Sequence, residues 1–160
     1  MINKFTGTNR FLSNFYPCQI EYEGLVYPSV ENAYQAAKVN NPEDRKKFIN
    51  ITPGKSKKLG NQVLHWQNLR EQLDKCEGYL DWHLKKLDVM EKLLRIKFKD
   101  QVLAKSLVDT YPETLIEGNT WGDTFWGTVD GIGKNNLGNL LMKIRKEIVD
   151  EKSRDSGGQL

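Results

Sequence analysis

Long apolar runs, cysteines and histidines are all scarce in this chain, and each shortage removes a class of protein. No stretch approaches the roughly 18 apolar residues of a membrane-spanning helix, and the opening MINKFTGTNR lacks the apolar middle of a secretory signal. A cytoplasmic protein with no membrane partner is expected. The two cysteines, Cys18 and Cys76, have no metal-ligand spacing and read as reduced structural thiols rather than a disulfide. Two histidines, His65 and His83, are too few to build a metal site unaided, so neither a metal nor another cofactor is expected. Nucleotide-loop signatures are incomplete as well. PGKSKK contains the GKS of a phosphate loop, but Ile49 stands where the first glycine belongs. Gly131-Ile132-Gly133 precedes a predicted helix, but Asn136 replaces the third glycine of a dinucleotide loop. As a turn bringing backbone amides toward an anion, that segment stays open.

The chain has 160 residues, 38% hydrophobic and 28% charged, which suits one core. Residues 1–150 are expected to form a single domain, followed by a polar, disordered tail at 151–160. Residues 2–5 and TLIEG read as short strands, and CQIEYEGLVYP as a hairpin turning at Glu23-Gly24. Ser29, Asn41-Pro42 and Thr52-Pro53 open three helices. Leu80, Leu84, Leu87, Met90, Leu93, Leu94 and Phe98 mark an amphipathic helix near 79–98, Val102 to Val108 another, and Leu137 to Ile148 a last one. Strands and helices do not alternate, so the fold class is α+β: a mostly α-helical domain with a few short antiparallel strands.

The net charge of +3 is uneven: Arg45 to Lys58 holds six basic residues and no acid. A solvated helix face and a surface attracting phosphorylated ligands or nucleic acid both fit this run.

Three segments carry candidate chemistry. In YPSVENAYQAAK, Glu31, Gln35 and Lys38 fall within roughly 60° on one helical stripe, beside an apolar arc of Val30, Ala33, Tyr34 and Ala37. Between 117 and 138, Glu117, Trp121, Asp123 and Trp126 sit among six glycines, Gly127 included. Glycines allow close backbone approach, and an aromatic face stacks on a base. In RFLSNFYP, Phe11 and Phe15 read as core or as ligand contacts, whereas Arg10 and Asn14 can face a ligand.

Taken in order, FLSNFYPC, YPSVENAYQAAK, PGKSKKLG, DWHLKKLDVM with KF beyond it, and DTFWGTVDGIGKNNLGNLLMKIR resemble the NADAR family of YbiA-like N-glycosidases. The resemblance runs from about Phe11 to Arg145. It implies an α+β domain that cleaves N-glycosidic bonds of ribose without a metal. The implied substrates are phosphoribosylamino-pyrimidine intermediates of riboflavin synthesis, or ADP-ribose on guanine, including guanine in nucleic acid. It assigns Glu31, Lys38 and Asp123 to catalysis. It carries Trp82, Trp126, Asn14 and Phe15 over to substrate binding, and Arg10, Phe11, Gly127 and Asn136 are expected beside them as binding residues. Three positions depart from the pattern: Asn32 where many members have His, Asn61 after Leu59-Gly60, and Tyr79 before Asp81-Trp82.

Breaking a ribose–nitrogen bond builds cationic character at C1′, which a carboxylate stabilises. A neutral lysine offers a covalent route through a Schiff base. Glu31, in the first helical turn, is favoured as a carboxylate by the helix dipole. The expected function is a metal-free N-glycosidase with a nucleotide-like ligand, ADP-ribose or a phosphoribosyl-pyrimidine, and ADP-ribosylated nucleic acid as a further partner. The alternative is a non-catalytic ADP-ribose- or nucleotide-binding module.

Overall fold

The structure, a computed structural model, describes residues 1–74 and 78–158, with side chains 66–81 left out. Cys76 and the side chains of Tyr79, Leu80 and Asp81 lie outside the described residues. The chain forms two compact units, Asn14–Lys97 and Met1–Ser13 with Phe98–Leu160.

In the Asn14–Lys97 unit, β1 (Ile20–Tyr22) and β2 (Leu25–Tyr27) pair antiparallel, with Ile20 opposite Tyr27. Glu23 and Gly24 turn the hairpin with φ of 47° and 82°, the left-handed pair that suits strand twist. Helix α1 (Val30–Ala37) then starts at Ser29, whose Oγ accepts from Asn32 N–H at 3.1 Å. The second first-turn donor, Glu31 N–H, bonds to Asn14 C=O at 3.0 Å. Asn32 is fully buried and ties this helix start to the next connection. It receives the Ser29 hydroxyl at 2.5 Å and donates to Phe48 C=O at 2.8 Å and Ile51 C=O at 2.9 Å. Helix α2 (Pro42–Arg45) is capped by Asn41 and runs into a 3₁₀ turn, Lys46–Phe48, that buries Phe48. Helices α3 (Pro53–Asp74) and α4 (Gly78–Lys97) follow.

Helix α1 packs against α3, α4, both strands and the 3₁₀ turn. Enclosure on several sides buries Val30 through Ala36 and leaves Ala37, expected inside, half-exposed. The polar stripe therefore lies in the interior, not at the edge of an apolar face. On α4, Trp82, Met90, Leu93 and Leu94 are buried, whereas Leu84 and Leu87 are exposed. At about 100° per residue the buried four span roughly 120°, and Leu84 falls outside that arc.

The other unit holds a 3₁₀ helix, Gly7–Leu12, then α5 (Gln101–Asp109) and α6 (Asn136–Gly157), which pack together. Leu103, Leu107, Leu137, Leu141 and Ile144 are buried there. Asp100 caps α5 through bonds from Val102 N–H at 2.9 Å and Leu103 N–H at 3.0 Å. The strands expected at 2–5 and TLIEG shrink to single bridges: Ile2 N–H to Thr114 C=O and Ile116 N–H to Ile2 C=O, both 2.8 Å. Pairing stops because the chain winds into the 3₁₀ helix from Gly7. The polar end at 151–160 is likewise no loose tail through Gly157, since α6 continues that far. Lys146 pairs with Asp150 at 2.6 Å, and Ser153 and Ser156 bond back to the carbonyls four residues earlier. Among the described residues no helix is long and apolar enough to cross a membrane.

Lys97 ends α4 inside its unit, 1% exposed, with Nζ 5.6 Å from the Tyr16 ring centroid. Burial pushes its amine down to about 8, against a smaller upward pull from Cys18. A lysine lowered in the fold is neutral there while still protonated in the unfolded chain, so stability rises with pH between about 8 and 10.5. Lys97→Met removes this contribution. Its stability relative to the parent should therefore fall by about 2 kcal/mol from pH 8 to pH 10 in urea melts. A pH-independent difference would contradict the depressed amine.

Candidate active site

Glu31, Gln35 and Lys38 come together as the sequence spacing requires, but inside the protein, with 7%, 3% and 7% of their surfaces exposed. Gln35 Nε2 donates to Glu31 Oε1 at 2.7 Å. Lys38 Nζ lies 5.3 Å from the Tyr34 ring centroid, 5.9 Å from that of Trp82, and 3.4 Å from Asn61 Oδ1 on α3. Tyr34 and Trp82 stack obliquely at 5.2 Å, so α1 and α4 together supply an aromatic wall beside the amine. Burial pushes Lys38 down to about 8, Glu31 pulls upward, and Lys57 on α3 and Lys86 on α4 push down. Burial first, then Lys86 and Lys38, lower His83. Asn14 sits at the start of α1: its carbonyl holds Glu31 N–H and its Nδ2 meets Met90 Sδ at 3.5 Å. Its Oδ1 is buried without a hydrogen bond. Phe15 is 40% exposed, not core.

The remaining expected residues belong to the other unit. Arg10 is exposed and Phe11 half-buried on the 3₁₀ helix. Asp123 Oδ1 accepts the backbone N–H groups of Phe125 at 3.1 Å and Trp126 at 2.8 Å, so one carboxylate oxygen shapes the loop. Trp126 meets Phe125 edge-on at 4.9 Å. The space a side chain at Gly127 would need is filled by the Glu117 carboxylate and Asn119. Asn136 Nδ2 donates to Phe125 C=O at 2.9 Å. The anion-binding turn is also answered: the first amides of α6, Asn136 and Leu137, bond to Phe125 and Trp126 carbonyls at 3.3 and 3.0 Å. Those donors are spent on the loop itself.

Four residues escaped the sequence reading as site or support residues. Asn119 bonds Glu117 at 3.0 Å and both backbone groups of Asp123. Asn135, with φ of 50°, clamps Glu117 N–H and Leu115 C=O, both at 2.9 Å. Asparagine, a residue type enriched in the left-handed region, just before a helix is the available hint of that turn. Asn61 and Gly60, noted above only as part of a motif, face Lys38 and Gln35 from α3. Half of the basic run is paired: Arg45 with Glu23, Lys46 with Glu43 and Lys47 with Asp44, the last two at 2.8 Å. Among the described residues no group of three His, Cys, Asp or Glu side chains is placed to hold a metal.

The NADAR domain description matches residues 3–149. The chain belongs to the NADAR domain family. This NADAR domain is 33% identical over 157 residues to N-glycosidase YbiA of Shigella boydii (serotype 4, strain Sb227), covering 95% of the chain and 91% of that protein. It is 33% identical over 141 residues to a riboflavin biosynthesis protein of Vibrio vulnificus (strain YJ016), covering 86% of the chain but only 35% of that longer protein. The NMR structure of the Escherichia coli protein YbiA superposes with a TM-score of 0.72 at 30% identity, over 95% of this chain and 89% of that one. The α+β fold is thus shared with YbiA.

In this NADAR domain, the Lys38 amine should titrate near pH 8 when followed by side-chain NMR, and Glu31→Gln should lower that midpoint further by removing the opposing carboxylate. A midpoint above 10 in the parent would contradict a desolvated amine.

Proposed function

We propose that the chain is an N-glycosidase that hydrolyses the bond between ribose and a nucleobase-type amine, with Glu31 and Lys38 as the reacting pair. The observation that carries this reading is the amine of Lys38, buried against Tyr34 and Trp82 and lowered to about 8, on the same helical stripe as the buried Glu31. At pH 7.5 such an amine is roughly one-quarter neutral, against roughly one part in a thousand for an ordinary lysine. That difference of over a hundredfold separates a nucleophile from a surface charge.

Glu31 as a carboxylate stabilises positive charge growing at C1′. In the covalent route the sugar ring opens to an imine at C1′, and neutral Lys38 adds to that carbon. The C1′–nitrogen bond to the base breaks, and the base amine leaves with a proton, giving a Lys38 Schiff base. Water then adds at C1′ and releases the sugar, ribose phosphate from the phosphoribosylamino-pyrimidine, and the lysine amine. Tyr34 and Trp82 supply an apolar wall beside this carbon. The names of the Shigella and Vibrio relatives, N-glycosidase and riboflavin biosynthesis protein, support the same chemistry. They favour a phosphoribosylamino-pyrimidine over an ADP-ribosylated guanine, as does the internal pairing of half the basic run.

Incubation with the phosphoribosylamino-pyrimidine and, in parallel, with ADP-ribosylated guanine DNA should release ribose phosphate from the first. Borohydride added during turnover should leave a reduced sugar on Lys38, detectable by mass spectrometry. Lys38→Met should lower kcat at least about 100-fold. Release from the DNA alone would move the substrate to ADP-ribosyl-guanine. Tight binding without turnover of either would make the chain a binding module instead.

A further inference from the structure

We infer that Gln35 is the positioning residue that holds Glu31, and that α3 carries glycine at position 60 so that this amide can lie against it. The inference rests on the proposed role of Glu31. Gln35 lies one turn beyond Glu31 on α1, and among the described residues its side chain's one hydrogen bond runs from Nε2 to Glu31 Oε1 at 2.7 Å. Its other polar atom, Oε1, is buried and accepts nothing. A buried amide oxygen without a partner is a cost that an apolar side chain of the same volume would not carry. The single favourable term that the glutamine brings is the bond to Glu31. Direction matters too. Turning the amide over would set its oxygen against a carboxylate oxygen, so the arrangement fits an ionised Glu31 accepting a proton from a neutral donor.

Gly60 gives this geometry its second support. A Cβ there would overlap Gln35 Oε1 and approach Gln35 Cδ and Cβ to 2.9 and 3.0 Å. Its backbone therefore lies where any larger residue would push the amide away from Glu31. Mid-helix glycine is unfavourable relative to alanine, and here the contact across α1 and α3 accounts for it.

Several charged groups lie on the elements around α1. Lys57 on α3 and Lys86 on α4 push Lys38 down, and Lys86 and Lys38 act on His83 of α4. Glu23 at the hairpin is tied to Arg45, Glu21 on β1 is exposed, and Lys46 and Lys47 are tied to Glu43 and Asp44. Lys38 is coupled to Glu31 as a cation, and Gln35 is a neutral donor to it.

The test follows Glu31 itself, by side-chain carboxyl NMR titration, in the parent, Gln35→Leu, Gly60→Ala, Gln35→Ala and the Gln35→Ala/Gly60→Ala double variant. Gln35→Leu should raise the Glu31 midpoint by about one unit. It should move with it the lower break on the acid side of kcat/KM, beneath the limb that Lys38 sets near pH 8, so that activity below that break falls about tenfold, while KM changes less than about threefold. Gly60→Ala should shift Glu31 the same way and lower Tm in the parent, yet raise Tm in the Gln35→Ala background, where nothing remains to displace. Tm losses with an unmoved Glu31 midpoint would make Gln35 a packing residue and overturn the inference. A moved midpoint with an unmoved lower break would overturn it as well, by separating the bond from catalysis. The titration needs no substrate, so absence of turnover in the parent would count against the proposed function alone.

Discussion

A short helix wrapped on several sides by its neighbours is the constraint from which the rest of this molecule follows. Helix α1 has eight residues and is packed by two long helices, a hairpin and a 3₁₀ turn. Polar side chains carried inward are costly there unless they find partners, because little water reaches them. Glu31 is met by Gln35, Lys38 by two aromatic rings and Asn61, and the first backbone donors by Ser29 and Asn14. The same enclosure sets the ionisation of Lys38. Desolvation is the largest cause of the lowered Lys38 amine, and a charge in a dry setting acts on its neighbour far more strongly than in water.

The molecule keeps a second buried lysine, Lys97, held near the same value by the same cause. Burial and Cys18 act on Lys97, whereas burial, Glu31, Lys57 and Lys86 act on Lys38. A depressed amine by itself is thus a consequence of burial. What distinguishes the α1 stripe is the pairing of that amine with an acid and its amide donor within two helical turns.

Much of this was legible in the sequence where the cause is local. Caps at Ser29 and Asn41 and the Glu23-Gly24 turn depend on a few adjacent residues and appear where their chemistry places them. The stripe of Glu31, Gln35 and Lys38 follows from helical spacing alone. What could not be read is whatever another segment decides. Burial of the stripe depends on α3 and α4, the need for glycine at position 60 depends on Gln35 25 residues earlier, and the shrinkage of the terminal strands depends on where Gly7 starts a new turn. The glycine-rich loop was read as open to a ligand because its residue types permit it. Its donors and acceptors instead close on each other through Asn119, Asp123, Asn135 and Asn136.

The proposed hydrolysis depends on Glu31 as the charge at the sugar, and Glu31→Gln tests that with little change of shape. The measurement is kcat for release of ribose phosphate from the phosphoribosylamino-pyrimidine, together with the affinity of the same variant for that ligand. The predicted result is a kcat lowered by at least about 100-fold with affinity kept within about threefold. A variant that turns over within about twofold of the parent would contradict it.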